Sequence, residues 1–184
     1  MSFYFLIPLL LGFIFNSASA FTTFFSSKLG ERRGRLVCVI LRDVVGIPVW
    51  AGGYVLAALS RSPRLFTSTT LSSTFAWLLV LTGSGIIIAG LTSLRWRAAA
   101  PSTKDSLVTG GVYAHIRHPL YSGMILQLAG LVLWFPQGAM LVACLTGVAW
   151  VMLQARLEEL DLVQRLPAYH EYMQRVPRFV PKIR

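Results

Sequence analysis

The sequence predicts an all-α, polytopic membrane helix bundle of about five transmembrane helices, with a helical C-terminal tail in the cytoplasm. Three observations carry this. Hydrophobic residues make up 55% of the 184 positions and charged residues only 13%, and the mean hydropathy of +0.63 is more than one soluble core conceals. The apolar residues fall into runs close to the roughly 20 residues that a helix needs to cross a hydrocarbon layer about 30 Å thick. The cations, which give a net charge of +10, cluster between those runs and favour alternate loops.

The first run extends from about Phe3 to Phe25. Ala18-Ser19-Ala20 has the pattern of a signal-peptide cleavage site, but no Lys or Arg precedes the apolar stretch, as a signal peptide requires, so the run reads as a span. The second runs from about Leu36 to Leu59, the third from Thr74 to Leu94, the fourth from Pro119 to Trp134 and the fifth from Gly138 to Leu157. Phe135 to Gly138 form a short turn, which predicts an antiparallel hairpin of the last two. Lys28, Arg32, Arg33 and Arg35 lie between spans one and two, and Arg95, Arg97, Lys104 and Arg117 between three and four. The tail adds Arg156, Arg165, Arg175, Arg178, Lys182 and Arg184, whereas the alternate loops hold only Arg61 and Arg64. The expected orientation is N-terminus outside and C-terminus in the cytoplasm, with membrane lipids covering much of the surface. Residues 1–184 read as one domain, of which 107–184 is the more diagnostic part.

This pattern excludes several classes. A basic nucleic-acid groove needs a water-soluble scaffold, so attraction to anionic headgroups is the simpler account of the charge and no nucleic acid is expected. Cys38 and Cys144 lie inside apolar runs without metal-ligand spacing, so they read as small buried hydrophobes, and no metal is expected. Gly83-Ser-Gly85 with Gly90 lies within a span and follows no strand, which favours close helix packing over a dinucleotide loop, and the same holds for Gly52-Gly53. Arg42 and Asp43 are ionisable residues inside the second span. Arg42 is about 10 Å from the helix start at about 1.5 Å per residue, compatible both with pairing or snorkelling and with a site-lining role.

Two polar clusters could carry chemistry. Residues 107–123, LVTGGVYAHIRHPLYSG, precede the fourth span, where Pro119 suits a first helical turn and places Arg117 and His118 at a helix N-terminus. That end suits a ligand carboxylate. It equally suits an interfacial anchor, with Arg117 and His118 on lipid phosphates and Tyr113 and Tyr121 at headgroup level. The second cluster follows the fifth span: Arg156, Glu158, Glu159 and Asp161, then a tail in which Tyr169, Met173 and Val176 form an apolar side. Adjacent glutamates oppose the cationic bias of that membrane face, and a cationic ligand would account for them.

Taken together the clusters resemble the isoprenylcysteine carboxyl methyltransferase and phospholipid methyltransferase families, over about the last 80 residues. The motifs are Leu107 to Tyr113, Arg117 to Gly123, Glu158 to Leu160, and Tyr169, Tyr172 and Arg175 to Pro177, in the family's order. The resemblance implies an integral-membrane methyltransferase that uses S-adenosylmethionine. It implies that Leu107, Val108, Tyr113, His118, Pro119, Leu120 and Tyr121 line the cofactor pocket, with Glu158 or Glu159 facing the charged methionine end and the tail closing over it. The implied acceptor is lipophilic, a prenylated cysteine, a lipid or similar, met by Arg117, Arg156 or Arg175, with His118 the nearest base for an amine. Carboxyl O-methylation is the leading expectation and phospholipid N-methylation the alternative. The chain departs from the family at Leu166-Pro167, where Phe-Gly is usual, and at Gln154, near where an Arg is usual.

Overall fold

A computed structural model describes residues 3–94 and 106–182. Part of the orientation argument, Arg95, Arg97, Lys104 and Arg184, lies outside those residues. Six helices organise the described chain: α1 (Leu6–Leu29), α2 (Glu31–Leu59), α3 (Thr70–Leu94), α4 (Pro119–Trp134), α5 (Gly138–Arg165) and α6 (Ala168–Arg175). α1, α2, α3 and α5 are long and apolar enough to cross a membrane, and their outward faces expose large apolar side chains such as Ile7, Ile14, Leu78, Ile88, Leu145 and Met152. α4 is shorter than expected of a full span, because its 16 residues give about 24 Å at about 1.5 Å each.

The sequence boundaries shift at the ends facing the polar clusters. α1 continues to Leu29 and α2 starts at Glu31, since Gly30, at φ 80°, is the only residue that separates them. Gly suits this left-handed conformation because it has no Cβ. α1 contains a 3-10 turn over Ser17–Phe21 and α2 a π-helical turn over Ile40–Gly46. The π-turn ends just before Pro48, which has no N–H to continue the regular ladder, and Asn16 Nδ2 donates to the Arg42 carbonyl at 3.2 Å.

α3 and α4 pack antiparallel through small residues. The buried positions of α3 are Ala76, Gly83 and Gly90, seven apart, and those of α4 include Gly123 and Gly130, also seven apart. A Cβ on Gly83 would sit 2.5 Å from the Gly123 carbonyl oxygen, and one on Gly123 would meet the Gly83 carbonyl oxygen. The glycine-rich stretch of α3 is therefore a helix-packing seam, although Gly85 and Gly52 face open space. Of the Gly52-Gly53 pair in α2, it is Gly53 that admits a neighbour, Leu9 of α1.

The core joins α1, α2, α4 and α5 around Phe13, Leu128, Met140 and Trp150, with Phe13 and Trp150 stacked at 4.5 Å. Cys38 and Cys144 are buried and unbridged. At one end of the bundle the α2–α3 loop pairs with the α4–α5 turn, through Leu65 N–H to Pro136 O (2.8 Å) and Gly138 N–H to Pro63 O (3.0 Å). The opposite end gathers the α1–α2 turn, residues 106–118 and the tail.

Candidate active site

At that second end, the chain reversal at Leu166-Pro167 brings the tail back over the start of α4. The Arg117 and His118 amides donate to Pro177 O (2.9 Å) and Arg178 O (3.0 Å), Ser122 Oγ donates to Phe179 O (2.7 Å), and Tyr172 Oη donates to Tyr113 O (2.6 Å). Burial pushes the Tyr172 phenol up to about 12, so it remains a donor at neutral pH. The two amides just before α4 are thus given to tail carbonyls.

Glu159 is the centre of this clasp. Its Oε1 accepts from Arg117 Nε (3.0 Å), His118 Nε2 (3.1 Å) and Arg178 Nε (3.1 Å), and its Oε2 from Arg178 Nη2 (2.5 Å). An ionised carboxylate only accepts, so Nε2 of His118 carries the proton in this contact. Arg117 also donates Nη1 to the carbonyls of Met173 (2.7 Å) and Val176 (2.6 Å), which caps the C-terminus of α6. The bonds to Glu159 hold the Arg178 guanidinium above its ordinary pKa.

Beside the clasp is a cavity of about 430 Å³, within the range of small-molecule pockets, roughly 300 to 1,000 Å³. Its walls include Leu107, Val108 and Tyr113 from the loop, Arg117, His118, Leu120, Tyr121 and Met124 around the start of α4, and Glu158, Asp161, Leu162 and Arg165 from α5. Tyr169 and Tyr172 of α6 cover it. The first three spans add Asn16 and Ser19, then Arg42, Asp43, Ile47 and Trp50, then Leu91 and Leu94, and Ser106, Trp150 and Leu166 complete the lining.

The two glutamates diverge because adjacent helical side chains point about 100° apart. Glu158 lines the cavity and Glu159, only 4% exposed, does not. Glu158 Oε1 accepts from Tyr121 Oη (2.5 Å), Gln154 Nε2 (2.9 Å) and Ser19 Oγ (3.4 Å), all neutral donors. Among the described residues no cation stands within ion-pair distance of it. Gln154, one helical turn away and fully buried, keeps an Oε1 that meets no donor. The other acids are neutralised in place, Asp43 by Arg42 (2.6 Å) and Asp161 by Arg165 (2.9 Å).

Of the residues singled out from sequence, Leu107, Val108, Tyr113, Arg117, His118, Leu120, Tyr121 and Glu158 come together on the cavity. Pro119 packs instead toward Gly90, 3.2 Å from where a Cβ there would stand. Arg156 is exposed on α5, and Arg175 is exposed and paired with Glu171 (3.1 Å), both away from the cavity walls. Arg42 and Asp43 combine both roles that the sequence left open, since they pair with each other and line the cavity. Asn16 and Ser19 were missed. Their signal was available, as lone polar residues within an apolar span.

The cavity is thus mainly apolar, is covered by the clasped tail, and holds a carboxylate, Glu158, that has no cation within ion-pair distance among the described residues. No curated protein and no solved structure matches the chain. The family model of the phospholipid methyltransferases matches residues 71–166, a stretch that contains α3, α4, α5 and the glutamate pair. The chain belongs to this phospholipid methyltransferase family and is a membrane methyltransferase of lipid-like substrates.

Proposed function

We propose that this chain transfers a methyl group from S-adenosylmethionine to a lipophilic acceptor in the cavity beside the clasped tail. The observation that carries the reading is Glu158. A carboxylate held on a cavity wall by neutral donors alone attracts a cation, and S-adenosylmethionine has an ammonium and a sulfonium. When bound, that cofactor supplies an electrophilic methyl group for in-line displacement. Leu107, Val108, Tyr113, Leu120 and Tyr121 are the residues that would hold its less polar part, and the buried Gln154 carbonyl is an acceptor adjoining the Glu158 end.

The residues of the chain then have three tasks. Tyr121, Gln154 and Ser19 fix the Glu158 carboxylate, so its charge is preorganised rather than reoriented at each turnover. α6 and the Arg117–Glu159–Arg178 clasp keep Tyr169 and Tyr172 over the cavity, which excludes water and maintains alignment. His118 concerns the acceptor. With its Nε2 proton directed at Glu159, a proton from an amine acceptor would pass to Nδ1, whereas a carboxylate acceptor needs no base. Arg117, with its donors on Glu159 and the α6 carbonyls, acts as a structural clasp in this reading.

Carboxyl O-methylation of a prenylated cysteine follows from the motif resemblance, and N-methylation of an ethanolamine phospholipid is favoured by the family match over residues 71–166. Incubating the protein in lipid nanodiscs with methyl-labelled S-adenosylmethionine and each acceptor separates them. Base-labile label released as methanol identifies an ester, and base-stable label in the phospholipid fraction identifies N-methylation. Absence of label transfer to any lipid together with absence of cofactor binding would overturn the reading.

A further inference from the structure

The cavity does not end at the clasp. A second, smaller cavity of about 180 Å³ lies deeper in the bundle, lined by Phe13, Tyr54, Leu128, Leu131 and Val151, and it shares Trp50, Met124 and Trp150 with the first. Asp43, Ile47, Trp50 and Tyr54 of α2 recur every three to four residues, so one stripe of α2 borders both cavities. That stripe spans about 16 Å at about 1.5 Å per residue. It begins with charge and ends among apolar side chains.

The charged end has an unusual construction. Arg42 and Asp43 are sequence neighbours, and neighbours on a regular α-helix diverge, yet Arg42 Nε and Nη2 both reach the Asp43 carboxylate, at 2.6 and 2.8 Å. They lie on the π-helical turn, a distortion frequent at functional sites. The Asp43 contact engages two N–H donors of the guanidinium and fixes its plane. The pair sits at the wall of the cavity, where a ligand anion would compete with Asp43 for Arg42.

We propose that Arg42 is the receptor for an anionic group, phosphate or carboxylate, on the methyl acceptor, with the acceptor's hydrocarbon tail lying along Trp50 into the inner cavity. The inference rests on the methyltransferase reading of the outer cavity and names its substrate class as an anionic amphiphile. Asp43 then has a defined part: it holds the Arg42 guanidinium oriented between turnovers and yields it to the incoming anion. Arg42 meets this need from α2, while Arg156 and Arg175 face away from the cavity.

The test is calorimetric titration of the full chain in nanodiscs with dodecyl phosphate, dodecanoate, dodecanol and ethyl phosphate, and separately with S-adenosylmethionine. Dodecyl phosphate, dodecanoate or both should bind the parent, and which of the two binds more tightly identifies the anion. Charge-assisted contacts set the expected loss at about tenfold or more in Arg42→Gln, with Arg42→Lys intermediate and dodecanol alike in all three. Asp43→Asn should bind the anion more tightly than the parent, because its competitor is gone, whereas a purely structural pair would make Asp43→Asn weaken binding as Arg42→Gln does. Ethyl phosphate should bind more weakly than dodecyl phosphate, and equal binding would overturn the placement of the tail. Equal anion affinity in the parent and Arg42→Gln, or weakening in Asp43→Asn, would overturn the anion receptor. Cofactor titration keeps the two readings separate: parent protein that binds S-adenosylmethionine while ignoring the anions refutes this inference alone, and Arg42-dependent anion binding without cofactor binding refutes the S-adenosylmethionine reading of the outer cavity alone.

Discussion

Glu158 and Glu159 are adjacent in α5, yet among the described residues Glu159 accepts from Arg117, His118 and Arg178 while Glu158 accepts from the neutral donors of Tyr121, Gln154 and Ser19. One carboxylate is neutralised within the fold and the other keeps its charge for the cavity. Substitutions at the two should therefore fail in different ways.

Glu158→Gln should weaken S-adenosylmethionine binding by about tenfold to a hundredfold, the worth of one charge-assisted contact of roughly 1.5 to 3 kcal/mol, with little change in unfolding temperature. Glu159→Gln leaves Arg117 and Arg178 buried or half-buried without their carboxylate, and breaking a buried pair costs about 3 to 5 kcal/mol. Its main effect should be a lowered unfolding temperature and a tail open to proteolysis. Thermal unfolding beside calorimetry reads both, and equal effects of the two variants on cofactor affinity would refute the division.

Removal of the chain from Pro167 onward should abolish cofactor binding and leave membrane insertion intact. The deletion takes away Tyr169 and Tyr172 from the cavity and the tail carbonyls that accept from Arg117, His118 and Ser122. Insertion depends on the apolar spans, which remain. Unchanged binding in nanodiscs would show that the cavity does not depend on the tail.

Gly123→Val should destabilise the bundle without touching the cavity directly. Its Cβ would meet the Gly83 carbonyl oxygen, which is backbone and has nowhere to move while α3 and α4 remain paired. Overpacking of this kind costs about 1 to 3 kcal/mol. Gly85→Val, whose Cβ meets nothing within 4 Å, is the control and should unfold like the parent.

The C-terminus should lie in the cytoplasm and the N-terminus outside, from the excess of cations in the α1–α2 turn, the α3–α4 loop and the tail. A compartment-sensitive reporter fused to each end reads this directly. Activity of the C-terminal fusion only outside the cytoplasm would reverse the assignment.

The sequence by itself determined the all-α membrane bundle, the approximate positions of the helices and the two segments that meet at the site. Those properties depend on length, hydropathy and local signals: runs that match a hydrocarbon layer, Phe135 to Gly138 as a turn, Pro119 as a helix start. The motif resemblance pointed to the glutamate pair, but the sequence could not tell which of the two lines the cavity. That division depends on the rotation of α5 and on which cations fold back against it, and Arg178 reaches Glu159 only because the tail reverses at Leu166-Pro167. The same limit applies to Asn16, Ser19 and Arg42. Each is visible in sequence as a polar residue within an apolar span, but their convergence on one cavity is a relation between distant segments, fixed by tertiary packing alone.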